Sequence, residues 1–153
     1  MIIIKRKIFG ILVLPLALIY WLAMPTKVRL LVMKDLKQWT RWQHLPCNLW
    51  GFSYLMGSMP EFRSVFYKRA RLLGILSRWW LPGKTNLEIS TNEIGGGLVI
   101  QHGFSTIIAA EKMGRNCKVY QQVTIGYSHE LRAPETGDKV EECCGAKEIG
   151  GIT

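Results

Sequence analysis

From Glu88 onward, apolar residues return every six positions. Met113, Val119 and Ile125 share one register, and Cys117 and Val123 share a second. Ile94 and Ile100 show the same interval upstream, and Val140, Ala146 and Ile152 continue it after an interruption. A half-buried strand repeats every two residues and a helix every 3.6, so neither produces this pattern. A hexad with one aliphatic and one small residue builds a prism-like parallel β-helix instead, each unit giving a flat face and a turn. The aliphatic side chain points inward, the small one fits near the corner, and the glycines of "IGGG" (94–97) take turns that penalise a Cβ. "GYSHELRAP" (126–134) breaks the period and is expected to bulge out as a loop. The phase then puts Thr136, Glu142 and Glu148 at inward positions of the last hexads. An unpaired carboxylate there costs roughly several kcal/mol or takes up a proton, so that coil either frays or runs in another register.

Ahead of the repeat the chain changes character. Residues 1–86 carry 14 Lys/Arg against 2 Asp/Glu, whereas 87–153 carry 6 against 9. All six tryptophans fall in the first 80 residues, and "LPGKTN" (81–86) separates two different surfaces. We read 1–86 as a helical, membrane-associated region and 87–153 as the repeat domain. Lys5, Arg6 and Lys7 precede an uncharged, mostly apolar run from Ile8 to Met24, at the lower edge of bilayer-spanning length. No small-x-small cleavage site follows it, which argues against a signal peptide. Cations continue at Lys27, Arg29, Lys34, Lys37 and Arg41, so the charge pattern does not orient the run.

Residues 58–80 read as one basic amphipathic helix. Ser58 and Glu61 stand at capping-box spacing. Phe62, Val65, Phe66, Leu72, Leu73, Leu76 and Trp79 recur at helical spacing, with Arg63, Lys68, Arg71 and Arg78 interleaved. Such a helix lies on an anionic membrane surface, or packs on its own domain with a solvated basic face. No helix-turn-helix or base-stacking signature accompanies the positive charge, which sets nucleic acid aside. Cys47, Cys117, Cys143 and Cys144 show no CxxC spacing. That argues against a disulfide framework or a metal site and fits a reducing compartment.

"EIGGGLVIQHG", "IIAAE" and "NCKVYQQVTIG" together resemble the serine acetyltransferases, hexapeptide-repeat enzymes that move acetyl from acetyl-CoA to the serine hydroxyl. More closely they are similar to membrane-associated members from bacterial capsule and exopolysaccharide loci. The likeness covers about 88–153; the first half matches only in kind, as helices ahead of the repeat. It implies a left-handed parallel β-helix preceded by helices, mainly β with an α-helical N-terminal region. It also implies a homo-trimer, acetyl-CoA as co-substrate, no metal, and a membrane-associated chain whose catalytic half is cytoplasmic. Further coils are expected beyond Thr153, so the repeat domain reads as incomplete.

The resemblance implies that His102 is the general base for the acceptor hydroxyl, oriented by an upstream carboxylate. The chemistry is general: a neutral imidazole accepts a hydroxyl proton as the oxygen attacks a thioester, and a carboxylate on its other nitrogen stabilises the imidazolium. Glu88 in "LEIS" is the expected partner, one residue closer to "IGGG" than the family's aspartate, with Glu93 as fallback. Gln122, Gly126 and Ala146 are expected along the CoA cleft. Where the family has His-Pro after the loop, its histidine touching the amino acid, this chain has Ala133-Pro134, and His129 is no obvious substitute. The acceptor is therefore L-serine or, alternatively, a sugar hydroxyl of a surface polysaccharide; a non-catalytic, membrane-bound assembly subunit is the third reading. A histidine that merely fills a corner of the β-helix remains the bland alternative for His102.

Overall fold

The computed structural model describes residues 2–129 and 132–152; Glu130 and Leu131 of the expected loop lie outside them, as does Thr153. The chain divides into two units, Met1–Gly83 and Lys84–Thr153, and the division falls inside "LPGKTN".

Five helices make the first unit: α1 (Ile2–Ala23), α2 (Thr26–Trp42), α3 (Leu49–Ser58), α4 (Pro60–Arg69) and α5 (Arg71–Ser77). α1 runs unbroken through Pro15 and is long and apolar enough over Ile4–Ala23 to cross a membrane. One stripe of it, Gly10, Val13, Ala17 and Tyr20, is buried at helical spacing, and Met24 just beyond its end continues the stripe. α1 packs along α3. Glycines set that approach: a Cβ on Gly57 would lie 2.9 Å from the Phe9 carbonyl, and one on Gly10 3.2 Å from the Tyr54 Cα. Across the same contact the Ser53 hydroxyl donates to the Gly10 carbonyl at 2.6 Å. The opposite side of α1, including Ile8, Ile11, Leu12, Ile19 and Leu22, is exposed.

Aromatic rings fill the core. Trp39, Phe62, Phe52 and Phe66 form an edge-to-face chain with centroids 5.4, 5.9 and 5.4 Å apart. At its edge the Arg69 guanidinium and the Asp35 carboxylate meet at 2.9 Å, both buried. Asn48 caps α3, its side chain accepting from the Gly51 amide.

The single helix expected over 58–80 is three pieces. Ser58 ends α3, its hydroxyl donating to the Tyr54 carbonyl, so the capping box does not form; Met59 occupies the N-cap and Pro60 the first turn of α4. The chain leaves helical geometry at Ala70 (φ −108°, ψ 60°) and restarts as α5. This break reverses the apolar stripe. Phe62, Val65 and Phe66 face the core, whereas Leu72, Leu76 and Trp79 face outward. The cations also divide: Arg63 is buried and donates to the carbonyls of Met56, Gly57 and Pro82, while Arg71 and Arg78 are exposed.

The second unit is a parallel β-helix of about three turns, the architecture the hexads predict. Its strands are β1 (Leu87–Ile89), β2 (Glu93–Ile94), β3 (Val99–Ile100), β4 (Thr106–Ile108), β5 (Lys112–Met113), β6 (Lys118–Val119), β7 (Thr124–Gly126), β8 (Glu135–Thr136), β9 (Glu141–Glu142) and β10 (Lys147–Ile149). They form three parallel sheets: a first of β1-β4-β7-β10, a second of β2-β5-β8 and a third of β3-β6-β9. Ile94, Met113 and Thr136 stack in register on the second sheet, and Ile100, Val119 and Glu142 on the third. On the first sheet Ile108, Ile125 and Glu148 stack likewise.

The last coil neither frays nor shifts register. Glu142 takes the inward position and is 7% exposed. Burial pushes its carboxyl above the usual glutamic range, and the neighbouring Glu148 adds to this through its charge and a hydrogen bond. The neutral, protonated carboxyl is the form that such burial favours. The small-residue register holds at Cys117 and Val123, both buried. It fails at Ile152, which is about half exposed where continuation of the period predicts burial.

Candidate active site

The corners that join the third sheet to the first differ between coils. Val119 and Ile125 bracket this corner in one coil and Glu142 and Glu148 in the next, six residues apart each time. In the first coil the equivalent pair is Ile100 and Ile108, eight apart. The two additional residues fall in the segment that carries His102.

Left-handed residues run up two of the corners in columns spaced by the coil. Gly97, Asn116 and Lys139 form one such column, and Ser105, Gln122 and Gly145 the other, all with φ between 51° and 95°. A tight bend at a β-helix corner accounts for both. His102, with φ 65°, belongs to neither column. The Gln122 amide donates to the Phe104 carbonyl as the Gly145 amide does to the Gln121 carbonyl, so His102 and Gly103 are the two residues that the next coils lack. The Gly103 amide donates to the Gln101 carbonyl at 2.8 Å, closing a three-residue turn centred on His102. With φ positive at the central residue, that is the rare, strained form of the turn. The imidazole is exposed. Ser105, also left-handed at φ 51°, completes the bend into β4.

Glu88 is the middle residue of β1, facing outward and exposed, with Ile107 opposite it in register. It lines a shallow depression on the first sheet together with Thr85, Asn86, Ser105 and Ile107. No hydrogen bond or ion pair joins Glu88 to His102 among the described residues, so the expected dyad is not closed within one chain. Glu93 begins β2, on a different sheet.

The residues expected along a CoA cleft all border the first sheet. Gln122 turns the corner into β7 at φ 61°, and its carbonyl accepts from the Lys147 ammonium at 2.5 Å. Gly126 ends β7; a Cβ there would meet Ile149 Cδ1 at 3.8 Å, ordinary contact distance. Ala146 precedes β10, and its carbonyl accepts from the Thr124 amide at 2.9 Å. Within the interruption at 126–134, Ala133 is buried and His129 is exposed. Among the described residues no three His, Cys, Asp or Glu side chains converge to hold a metal ion.

A polar cluster on the third sheet escaped the sequence reading. The Lys118 ammonium donates to the Tyr120 hydroxyl at 2.6 Å, and that hydroxyl donates to Glu141 at 2.8 Å. The Tyr120 hydroxyl holds the Lys118 ammonium charged to higher pH than usual. The alternation of Lys118 and Tyr120 along one strand face was the available signal; the partner 21 residues later, at 141, becomes visible once coil length is known.

Helices followed by a parallel β-helix of three-strand coils define the fold class. No protein-family model matches the chain, and no curated protein matches it. Among solved structures the chain is similar to serine acetyltransferase isoform 3 of Entamoeba histolytica, solved in complex with cysteine. The two are 25% identical, with a TM-score of 0.51 over 82% of this chain and 49% of that one. The chain thus spans about half the length of the protein it resembles.

Proposed function

We propose that this protein is an acetyl-CoA-dependent O-acetyltransferase with L-serine as acceptor. The observation that carries the reading is the exposed, strained His102 in a corner two residues longer than its counterparts in the next coils, within a fold similar to a serine acetyltransferase. Glycine is the residue a left-handed corner tolerates without strain, and backbone strain held at a polar side chain points to use.

His102 accepts the acceptor's hydroxyl proton while the oxygen attacks the acetyl thioester carbonyl. The new C–O bond makes a tetrahedral oxyanion, which collapses by breaking the C–S bond. The departing CoA thiolate takes the proton from the imidazolium, so acetyl ester and free CoA leave and the histidine is neutral again. Glu88, in the depression beside the same corner, is the positioning residue: its negative charge favours the imidazolium. Gln122, Gly126 and Ala146 border the surface along which the pantetheine arm lies. The protein works as a trimer, a heterologous interface closing after three steps, and α1 holds it at a membrane with the repeat half in the cytoplasm.

A sugar hydroxyl of a surface polysaccharide is the second reading, favoured by the buried Ala133 where an amino-acid-contacting histidine would stand. CoA thiol release by the purified chain tests both. Release that depends on L-serine supports the first reading, and release that depends on a hexose acceptor supports the second. No release with either leaves a non-catalytic assembly subunit.

A further inference from the structure

The outer face of α5 is built the wrong way round for a helix in water. Leu72, Ile75, Leu76 and Trp79 stand at i, i+3, i+4 and i+7, and each is at least 63% exposed. Trp80 adds a second indole at 83%. The inward face is small and polar: Gly74 packs where its Cβ would lie 2.9 Å from the Tyr67 Cβ, and Ser77 bonds to the Tyr20 hydroxyl of α1. The helix is therefore fixed to its unit by Gly74 and Ser77, and its apolar side is presented outward. Two exposed arginines bracket that side, Arg71 at the first residue of α5 and Arg78 just past its end; Arg78 stands 6.0 Å over the Tyr67 ring.

We infer that α5 with Trp79 and Trp80 is a second membrane contact, seated in the headgroup region of an anionic lipid leaflet. This rests on the membrane reading of α1 given above and adds a contact site outside it. Several observations select a lipid surface over a protein partner. Adjacent tryptophans prefer the zone where one edge of the ring is apolar and the N–H is wet. The flanking guanidiniums match phosphate oxygens. The whole first half is strongly cationic, with 14 Lys/Arg against 2 Asp/Glu. The same unit already exposes an apolar ridge on α1, the helix to whose buried side the Tyr20–Ser77 hydrogen bond ties α5.

The test uses the full chain with phosphatidylcholine/phosphatidylglycerol vesicles whose acyl chains carry bromine near the headgroup. The emission difference between the wild type and Trp79→Phe/Trp80→Phe isolates these two of the six tryptophans. The expected result is several-fold quenching of that difference by bromolipid, weak quenching by aqueous iodide, and less bromolipid quenching when phosphatidylglycerol is omitted. A chain that sediments with vesicles while iodide quenches the pair and bromolipid does not would overturn the proposal and leave the α1 reading standing. Shielding from both quenchers would mean that a second copy covers α5, and would also overturn it. A chain that stays in the supernatant would refute the membrane reading itself.

Discussion

Position 102 would be easier for glycine than for histidine. Its φ of 65° carries a penalty of about 1–3 kcal/mol for a side chain in a sparsely populated region. If His102 only filled a corner, His102→Gly would be neutral or stabilising, with activity following the folded fraction. The expected outcome is separation of the two quantities: a melting temperature at or slightly above wild type with acetyl transfer nearly abolished. Glu88→Gln, which removes a charge but no proton acceptor, is expected to lower turnover less than any change at His102, read in the same thiol assay. His102 was legible in the sequence as a candidate through the "QHG" element of the resemblance. Its departure from the left-handed columns was not, because that appears only when coils are laid over one another.

Glu142 makes a second argument at this scale. Its folded carboxyl titrates above the usual glutamic value near 4.5, so the protonated form is the one the fold favours. The stabilisation is complete below the unfolded value and is lost as pH rises through the folded one. The melting temperature of the repeat unit is expected to fall as pH rises from the usual glutamic value through the raised one of the folded state. Glu142→Gln, neutral and nearly isosteric, is expected to flatten that slope; an unchanged slope would show that Glu142 is ionised throughout. The sequence placed Glu142 and Glu148 inward correctly, and the expectation of fraying failed because burial, with a hydrogen bond to Glu148, favours the neutral form of the Glu142 carboxyl.

At the scale of elements the hexads located the β-helix because an inward position recurs with every face, and each miss costs a buried contact. The helices were less legible. Residues 58–80 carry an uninterrupted helical spacing, yet the chain bends at Ala70 and turns the second half of the stripe outward. Periodicity reports which residues share a face, and the direction that face points depends on what packs behind it. The α1–α3 contact was equally hidden, since a glycine in an apolar run looks like any other small residue. Gly57→Val is expected to destabilise the helical unit by about 1–3 kcal/mol, the range for overpacking, because its branches would enter the Phe9 backbone. A chemical denaturation midpoint equal to wild type would show that α1 and α3 do not pack closely.

The whole molecule joins a cationic helical unit to an acidic repeat unit, a contrast that was readable from charge alone. Assembly was not readable, because a β-helix presents three flat faces and a single chain does not say which one meets a neighbour. In a detergent that preserves the fold, light scattering is expected to give three times the 17.5 kDa chain mass; a clean monomer would contradict the trimer. The central claim, that the corner histidine moves a proton in acetyl transfer, is tested most directly by CoA thiol release from wild type and His102→Asn. Asparagine tolerates the left-handed bend but cannot take a proton from a hydroxyl. With acetyl-CoA and L-serine present, the expected result is serine-dependent release by the wild type, lowered about 10²–10⁴-fold in the variant at an unchanged melting temperature. Release by His102→Asn at the wild-type rate would contradict it.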